Sequence, residues 1–475
     1  MAGPRARRIN IPLRRVALLC SVMLFVALGN ITYIQAFGSQ SLNADARNQR
    51  TLIARFDHPR GDITTRDGTV IATSRRTGGE PYEYRREYPE GAMYAPVTGY
   101  ASLYSTTGIE RAEDSVLSGD EPRVRVHSLV RKGSLQGGTV RLTIDARAQR
   151  AAYEGLAATG KPGAAVAINP LTGAILAMAS YPSYDPNLYA TLDGHQLFSN
   201  DARLRSDPAQ PLLNRALNQT YPPGSTFKIV TAAAALTTGE YAPGDRVDGP
   251  RRLPLPGSAA IIHGGCGGRP LAYALQVSCN TAFAGIGLEL GQDTLRDQAE
   301  AFGFNVDDLA VPLPVSRSDF PAGMDRAQTA MSAIGQYDDR ATPLMIAMLS
   351  AAVANGGLLM QPYLVEEVRL ADGSIVSRAQ PSEYRTATTA DIADQLTDMM
   401  VAVTHPGGTG AAVAIPGIDV AAKTGTATDT PHAPTLFTAF APADAPEVAI
   451  GIALENATPA TTTPLARHLL ESLLN

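Results

Sequence analysis

The sequence predicts an α+β fold: an antiparallel sheet carrying a helical insert, preceded by a small, mostly β module and a single N-terminal transmembrane helix. Three observations lead there. Residues 16–34 form an uncharged, mostly apolar run behind a group of arginines. Residues 60–141 are rich in Gly, Arg and Tyr, with short strand-like runs broken by Asp67-Gly68, Gly78-Gly79 and Gly137-Gly138. Strand patterns then stand at both ends of a long helical middle, at 164–180 and 420–454. That arrangement predicts one domain whose sheet unites the beginning and end of its own segment.

The apolar run at 16–34 would span about 28 Å as a helix, close to the ~30 Å hydrocarbon core of a bilayer. Arg5, Arg7, Arg8, Arg14 and Arg15 precede it and favour a cytoplasmic N-terminus with the rest of the chain outside. A cleaved signal peptide is the alternative, though the run is long for one and no A-x-A site follows. The expected organisation is a cytoplasmic tail at 1–15, an anchor at 16–36, the N-terminal module at 37–140 and the α+β domain at 141–475. The module has strand-like runs at 69–72 and 124–126 and little core of its own.

In the last domain a helix is expected over 146–158. Apolar runs at 164–169 and 174–180 flank the turn Pro170-Leu171-Thr172-Gly173 and read as a hairpin. Helical patterns follow at 226–236, 271–275, 281–290, 295–302, 327–334 and 343–354, the last stopping at Asn355-Gly356-Gly357. Strands are expected at 420–423, 436–440 and 448–454. An Ala-Thr-Pro connector at 457–464 should lead to a closing helix from Pro464.

With 44% hydrophobic and 18% charged residues the chain can bury a substantial core. The net charge of -5 comes without a basic block or an aromatic–basic stripe, which argues against nucleic-acid binding. The His and Cys residues lack ligand spacing, so neither a metal nor another cofactor is expected. Cys266 and Cys279 lie in the exported part, where a disulfide or two separate buried thiols are both open readings.

Lysine usage is more telling. The forty Lys and Arg residues include only four lysines, Lys132, Lys161, Lys228 and Lys423. Lysine can lose its proton when its pKa is depressed, whereas arginine stays charged. Lys228 stands three residues after Ser225, behind Pro222-Pro223-Gly224 and at the start of an alanine-rich helix. The spacing places both on one helix face. A serine hydroxyl needs a base to become a nucleophile, and a desolvated lysine can serve. Ser278-Cys279-Asn280 should lie in a loop between two helices, where Ser278 can relay a proton and Asn280 can orient Lys228 and a substrate amide. Lys423-Thr424-Gly425-Thr426 should end a strand. There Lys423 and Thr424 can bind a carboxylate, Gly425 lets a substrate backbone lie close, and the Thr426 N–H can complete an oxyanion hole.

These three motifs, in this order and spacing, resemble the S-x-x-K, S-x-N and K-T-G set of penicillin-binding proteins and serine β-lactamases. Arg60-Gly61-Asp62-Ile63, Arg66-Asp67-Gly68, Gly108-Ile109-Glu110, Gly335-Gln336, Thr342-Pro343-Leu344 and Gly408-Thr409-Gly410 extend the likeness over nearly the whole chain. They narrow it to the monofunctional class B penicillin-binding proteins. Gly265-Cys266-Gly267-Gly268 with Ser278-Cys279-Asn280 resembles the actinobacterial penicillin-binding protein A type. The resemblance implies a D-Ala-D-Ala transpeptidase that cross-links peptidoglycan stem peptides through a Ser225 acyl-enzyme. It also implies acylation and inhibition by β-lactams and a glycosyltransferase partner in the membrane. Tyr337, Thr428 and Leu436 depart from the usual pattern on the acceptor side.

Two other readings share the motifs. A D,D-carboxypeptidase or β-lactamase would need a base to deliver water, and no E-x-x-x-N segment stands at the appropriate place after Asn280. A division scaffold with minor catalysis is compatible with an anchor and a recruiting module.

Overall fold

Arginine is a good helix former and proline suits a first helical position, so the N-terminal helix begins ahead of the apolar run, at Pro4, and continues to Tyr33. The structure, a computed structural model, describes residues 4–35, 56–79, 82–121, 136–309, 311–426 and 433–474. Within the helix, Pro12–Tyr33 is long and apolar enough to cross a membrane, with a mean hydropathy of 2.0 and none of it buried. This helix belongs to a unit comprising Met1–Asp57 and Gly78–Glu83; a second unit holds His58–Thr77 and Tyr84–Asn475.

In chain order the strands are Ile63–Thr64 (β1), Val70–Arg76 (β2), Tyr84–Glu87 (β3), Thr139–Leu142 (β4), Gly163–Ile168 (β5), Ile175–Tyr181 (β6), Arg252–Pro254 (β7), Ile261–His263 (β8), Leu358–Met360 (β9), Val365–Arg369 (β10), Ile375–Arg378 (β11), Glu383–Thr386 (β12), Ala421–Thr426 (β13), Thr435–Ala441 (β14) and Val448–Leu454 (β15). A six-stranded sheet has the order β11-β10-β4-β1-β2-β3. Only β1 and β4 run parallel in it. Two of its strands therefore come from residues 365–378, far along the chain, which explains how a short Arg- and Gly-rich segment with little core completes a sheet. The strand-like run at 124–126 lies outside the described residues.

The sheet that carries the site has five antiparallel strands in the order β13-β14-β15-β5-β6. Every residue of β5, β14 and β15 is buried. Strands covered on both faces read as continuous apolar runs rather than alternating ones. On one face Leu156, Leu465 and Leu469 pack against Ala165, Phe437 and Ile450. These leucines belong to the helices Ala146–Thr159 and Pro459–Leu474. The helix Pro343–Ala354, apolar but for Ser350 and buried from Pro343 to Val353, packs against β14, β15 and β5. The closing helix corrects the expected connector: it starts at Pro459, five residues before Pro464, with Thr462 and Thr463 buried. Docking on the sheet outweighs the weak helix propensity of a Thr-rich start. In the middle, the two helical patterns at 281–290 and 295–302 are two helices within the span Asn280–Ala301, separated at Gly291, whose φ of 79° and ψ of 168° are not helical.

Candidate active site

Pro222-Pro223-Gly224 ends a loop and the chain winds into a 3-10 turn, Gly224–Phe227, before the helix Lys228–Thr237 begins. Ser225 thus sits in the 3-10 turn rather than in the first α-helical turn. In a 3-10 turn residues i and i+3 eclipse one another, so the tighter winding brings Ser225 and Lys228 more directly into line. Residues Lys228 to Leu236 are all buried. Ser225 is 9% exposed and Lys228 is wholly buried.

The Lys228 Nζ lies 2.6 Å from Asn280 Oδ1, 2.8 Å from the Ser278 carbonyl oxygen and 3.2 Å from Ser278 Oγ. The Lys423 Nζ lies 2.9 Å from the same Ser278 Oγ and donates to the Thr424 carbonyl at 2.9 Å. One hydroxyl therefore joins the two amines. Both lysines are fully buried, and no carboxylate pairs with either among the described residues. Burial, and then the charge of Lys423, holds the Lys228 amine well below the ordinary lysine value. Burial brings Lys423 down to about 7.

Ser278 owes its position to the backbone. It is left-handed, with φ of 57°, a region that non-glycine residues rarely occupy. The end of the helix Leu271–Gln276 holds it there: Ser278 N–H donates to Leu275 O and Cys279 N–H to Ala274 O. Cys279 is bonded to Cys266, with their Cα atoms 5.9 Å apart. Asn280 then opens the next helix. Ser278 therefore lies in the expected loop, while Asn280 is already helical.

The third segment, β13, is an edge strand of its sheet. Gly425 also has a reason within the fold itself. A Cβ there would meet Thr226 Cγ2 at 2.9 Å and the Pro223 oxygen at 3.1 Å, so the glycine makes room for the turn that carries Ser225. Gly224 and Gly335 complete that packing. Gly224 N–H donates to Gly335 O at 2.9 Å, and a Cβ on Gly335, at φ of 71°, would stand 2.2 Å from Gly224 O. Gln336 Nε2 reaches Thr426 O at 3.4 Å, and Thr424 Oγ1 donates to Thr409 Oγ1 at 2.8 Å. Gly335, Gln336 and Thr409 carry no chemistry of their own in the sequence. Only their motif context signals them, and the structure shows them bracing β13 and the serine turn. Among the described residues no group of His, Cys, Asp and Glu could hold a metal ion.

Hydrogen bonds bring Lys228, Ser278, Asn280 and Lys423 together, and the turn that carries Ser225 packs against β13 at Gly425. A family model described as the penicillin binding protein transpeptidase domain matches residues 163–473. The chain belongs to the penicillin-binding protein transpeptidase family. A second model, the penicillin binding protein A dimerisation domain, matches residues 60–140. Within this family the chain is 43% identical to the peptidoglycan D,D-transpeptidase PbpA of Mycolicibacterium smegmatis, over 94% of each chain. It is 40% identical to PbpA of Mycobacterium tuberculosis, over 98% of this chain and 99% of that one. The solved structure of the M. tuberculosis penicillin-binding protein A as a ceftriaxone acyl-enzyme matches with a TM-score of 0.85 and 38% identity, covering 89% of this chain and all of that one. Its imipenem acyl-enzyme matches at 0.84. The chain is thus of the class B, penicillin-binding protein A type.

Proposed function

We propose that this penicillin-binding protein is a peptidoglycan D,D-transpeptidase working through a Ser225 acyl-enzyme, and that β-lactams acylate the same serine. The observation that carries the reading is the pair of buried lysine amines bridged by Ser278, one of them on Lys228, which follows the 3-10 turn that holds Ser225. A neutral Lys228 accepts the Ser225 proton as Oγ attacks the penultimate D-Ala carbonyl. The Ser225 and Thr426 N–H groups receive the oxyanion. Ser278 passes a proton from the lysine side to the departing terminal D-Ala. Asn280 fixes Lys228 and can meet the substrate amide. A protonated Lys423, with Thr424, binds the terminal carboxylate, and the open edge of β13 can pair with the extended stem peptide as an added strand. An amine of a neighbouring stem peptide then attacks the ester, regenerating Ser225. The relatives named as D,D-transpeptidases and the neighbours solved as β-lactam acyl-enzymes support this assignment.

The proposed organisation keeps the divisions 1–15, 16–36, 37–140 and 141–475 as tail, anchor, module and transpeptidase domain. The arginines ahead of the anchor support a cytoplasmic N-terminus and an extracytoplasmic site. A membrane glycosyltransferase is the proposed partner, because cross-linking needs a freshly polymerised glycan strand. The deciding experiment treats the full chain with labelled penicillin and locates the adduct by mass spectrometry. An adduct on Ser225, absent from Ser225→Ala, is expected; a stable adduct on another residue would overturn the assignment.

A further inference from the structure

Away from the serine site, a groove of about 810 Å³ follows the β2–β3 hairpin, lined by Arg75, Arg76, Arg85 and Arg86 and, from later in the chain, by Asn187 and Gln196. We propose that this groove is a phosphate-binding site, taking either a free phosphate or diphosphate ligand or the phosphate of a lipid headgroup.

The ladder between β2 and β3 sets Arg75 directly opposite Arg85. Like charges placed opposite one another across a ladder repel, so the hairpin carries a standing electrostatic penalty there. One carboxylate answers Arg75: Glu87 Oε2 stands 2.5 Å from its Nε as an ion pair without hydrogen-bond alignment. Arg85 is exposed and makes no ion pair with any described residue. Arg86 is different in kind. It is only 3% exposed, its Nε pairs with Glu110 at 2.5 Å and its Nη1 donates to the Gly61 oxygen at 2.8 Å. Its Nη2 is buried with no hydrogen-bond partner. A buried donor of a charged group left unanswered is costly. Gln196 adds an amide, and only its oxygen is engaged, by Thr191.

These donors favour phosphate over carboxylate. A carboxylate presents two oxygens, and the two already here each show what that achieves: Glu87 engages one face of Arg75, and Glu110 is consumed by Arg60 and Arg86. A phosphate presents at least three oxygens and up to two charges, so it can accept from two guanidinium forks at once and cancel the repulsion between facing arginines. Water alone would fill the groove without answering that repulsion.

The test uses the full-length chain in a non-ionic detergent. Calorimetric titration with inorganic pyrophosphate forms one arm. Titration with micelles doped with phosphatidylglycerol, against phosphatidylcholine, forms the other. Saturable binding is expected in at least one arm, weakened about tenfold by Arg85→Gln or Arg75→Gln and abolished by the double variant. Labelled-penicillin acylation should stay unchanged, and the thermal transition should not fall, since each substitution relieves the repulsion between the facing arginines. Binding of pyrophosphate alone identifies a free phosphate ligand, and binding of phosphatidylglycerol identifies a headgroup. The proposal is overturned by no binding in either arm or by binding indifferent to both substitutions. Arginine-dependent binding of polyglutamate without any phosphate response would overturn it too, reassigning the groove to an acidic polypeptide.

Discussion

Two parts of the chain bury cations in opposite ways. In the N-terminal module Arg60 and Arg86 converge on Glu110, which has no exposed side-chain surface, and Tyr88 adds its hydroxyl at 3.1 Å. Burial alone would push the Glu110 carboxyl up, but Arg86 and Arg60 outweigh it and hold the group below the usual range. In the serine site Lys228 and Lys423 are buried against a hydroxyl, an amide and two carbonyls, with no counter-ion among the described residues. The first arrangement locks charge in place and holds a sheet together. The second makes charge expensive, so that an amine gives up its proton near neutral pH. Residue choice follows: arginine where the charge must persist, lysine where it must be lost.

Exchanging the residue types across that divide should have the largest effect. Lys228→Arg keeps the charge but removes the base, and acylation by labelled penicillin should fall by about 10² to 10⁴. A rate within a few-fold of wild type would mean that another group accepts the Ser225 proton. In the module, Glu110→Ala leaves the buried Arg86 without a carboxylate and Arg60 with Asp114 alone, and should cost about 3–5 kcal/mol of stability by denaturant titration. The acylation rate per folded molecule should hardly change, which separates structure from chemistry. Because the folded Glu110 pKa is depressed, its stabilisation is fully present above the ordinary carboxylate value and is lost as pH falls through the lowered one. Glu110→Gln should therefore flatten the acid side of the stability profile, and an unchanged profile would show that other carboxylates govern it.

Much of this contrast was legible in the sequence. Val448–Leu454 appears as the same seven residues in pattern and in strand, and the helix Pro343–Ala354 likewise matches its pattern, because near-continuous burial writes itself as near-continuous apolar text, broken in the helix only by Ser350. The candidate site residues were legible because a lysine-poor chain makes each retained lysine conspicuous. What was not legible depends on contacts between distant segments. No local pattern says that β10 joins β4, or that Gly335 must lack a side chain because Gly224 lies against it. The left-handed Ser278 was equally hidden, since the residue type gives no hint of it and the helix ending at Gln276 imposes it. Pro464 misled because proline usually marks a boundary, whereas here sheet contact begins the helix five residues earlier.

The smallest expected effect tests the lysine pair most sharply. Acylation of the free enzyme requires Lys228 without its proton and, in binding the β-lactam carboxylate, Lys423 with its proton. The second-order rate should rise with pH as Lys228 deprotonates and fall above about 7 as Lys423 does, by up to about tenfold per pH unit. Burial depresses both amines, and at Lys228 the charge of Lys423 adds to it, so the acid limb is assigned to Lys228 and the alkaline limb to Lys423. Lys423→Arg keeps a permanent charge at the strand, so the alkaline limb should vanish while the acid limb set by Lys228 remains. A larger guanidinium can lower the rate at every pH, and the shape of the profile is therefore the readout. An alkaline limb that survives at the same pH in Lys423→Arg would assign it to another group and leave Lys423 with no titrating role.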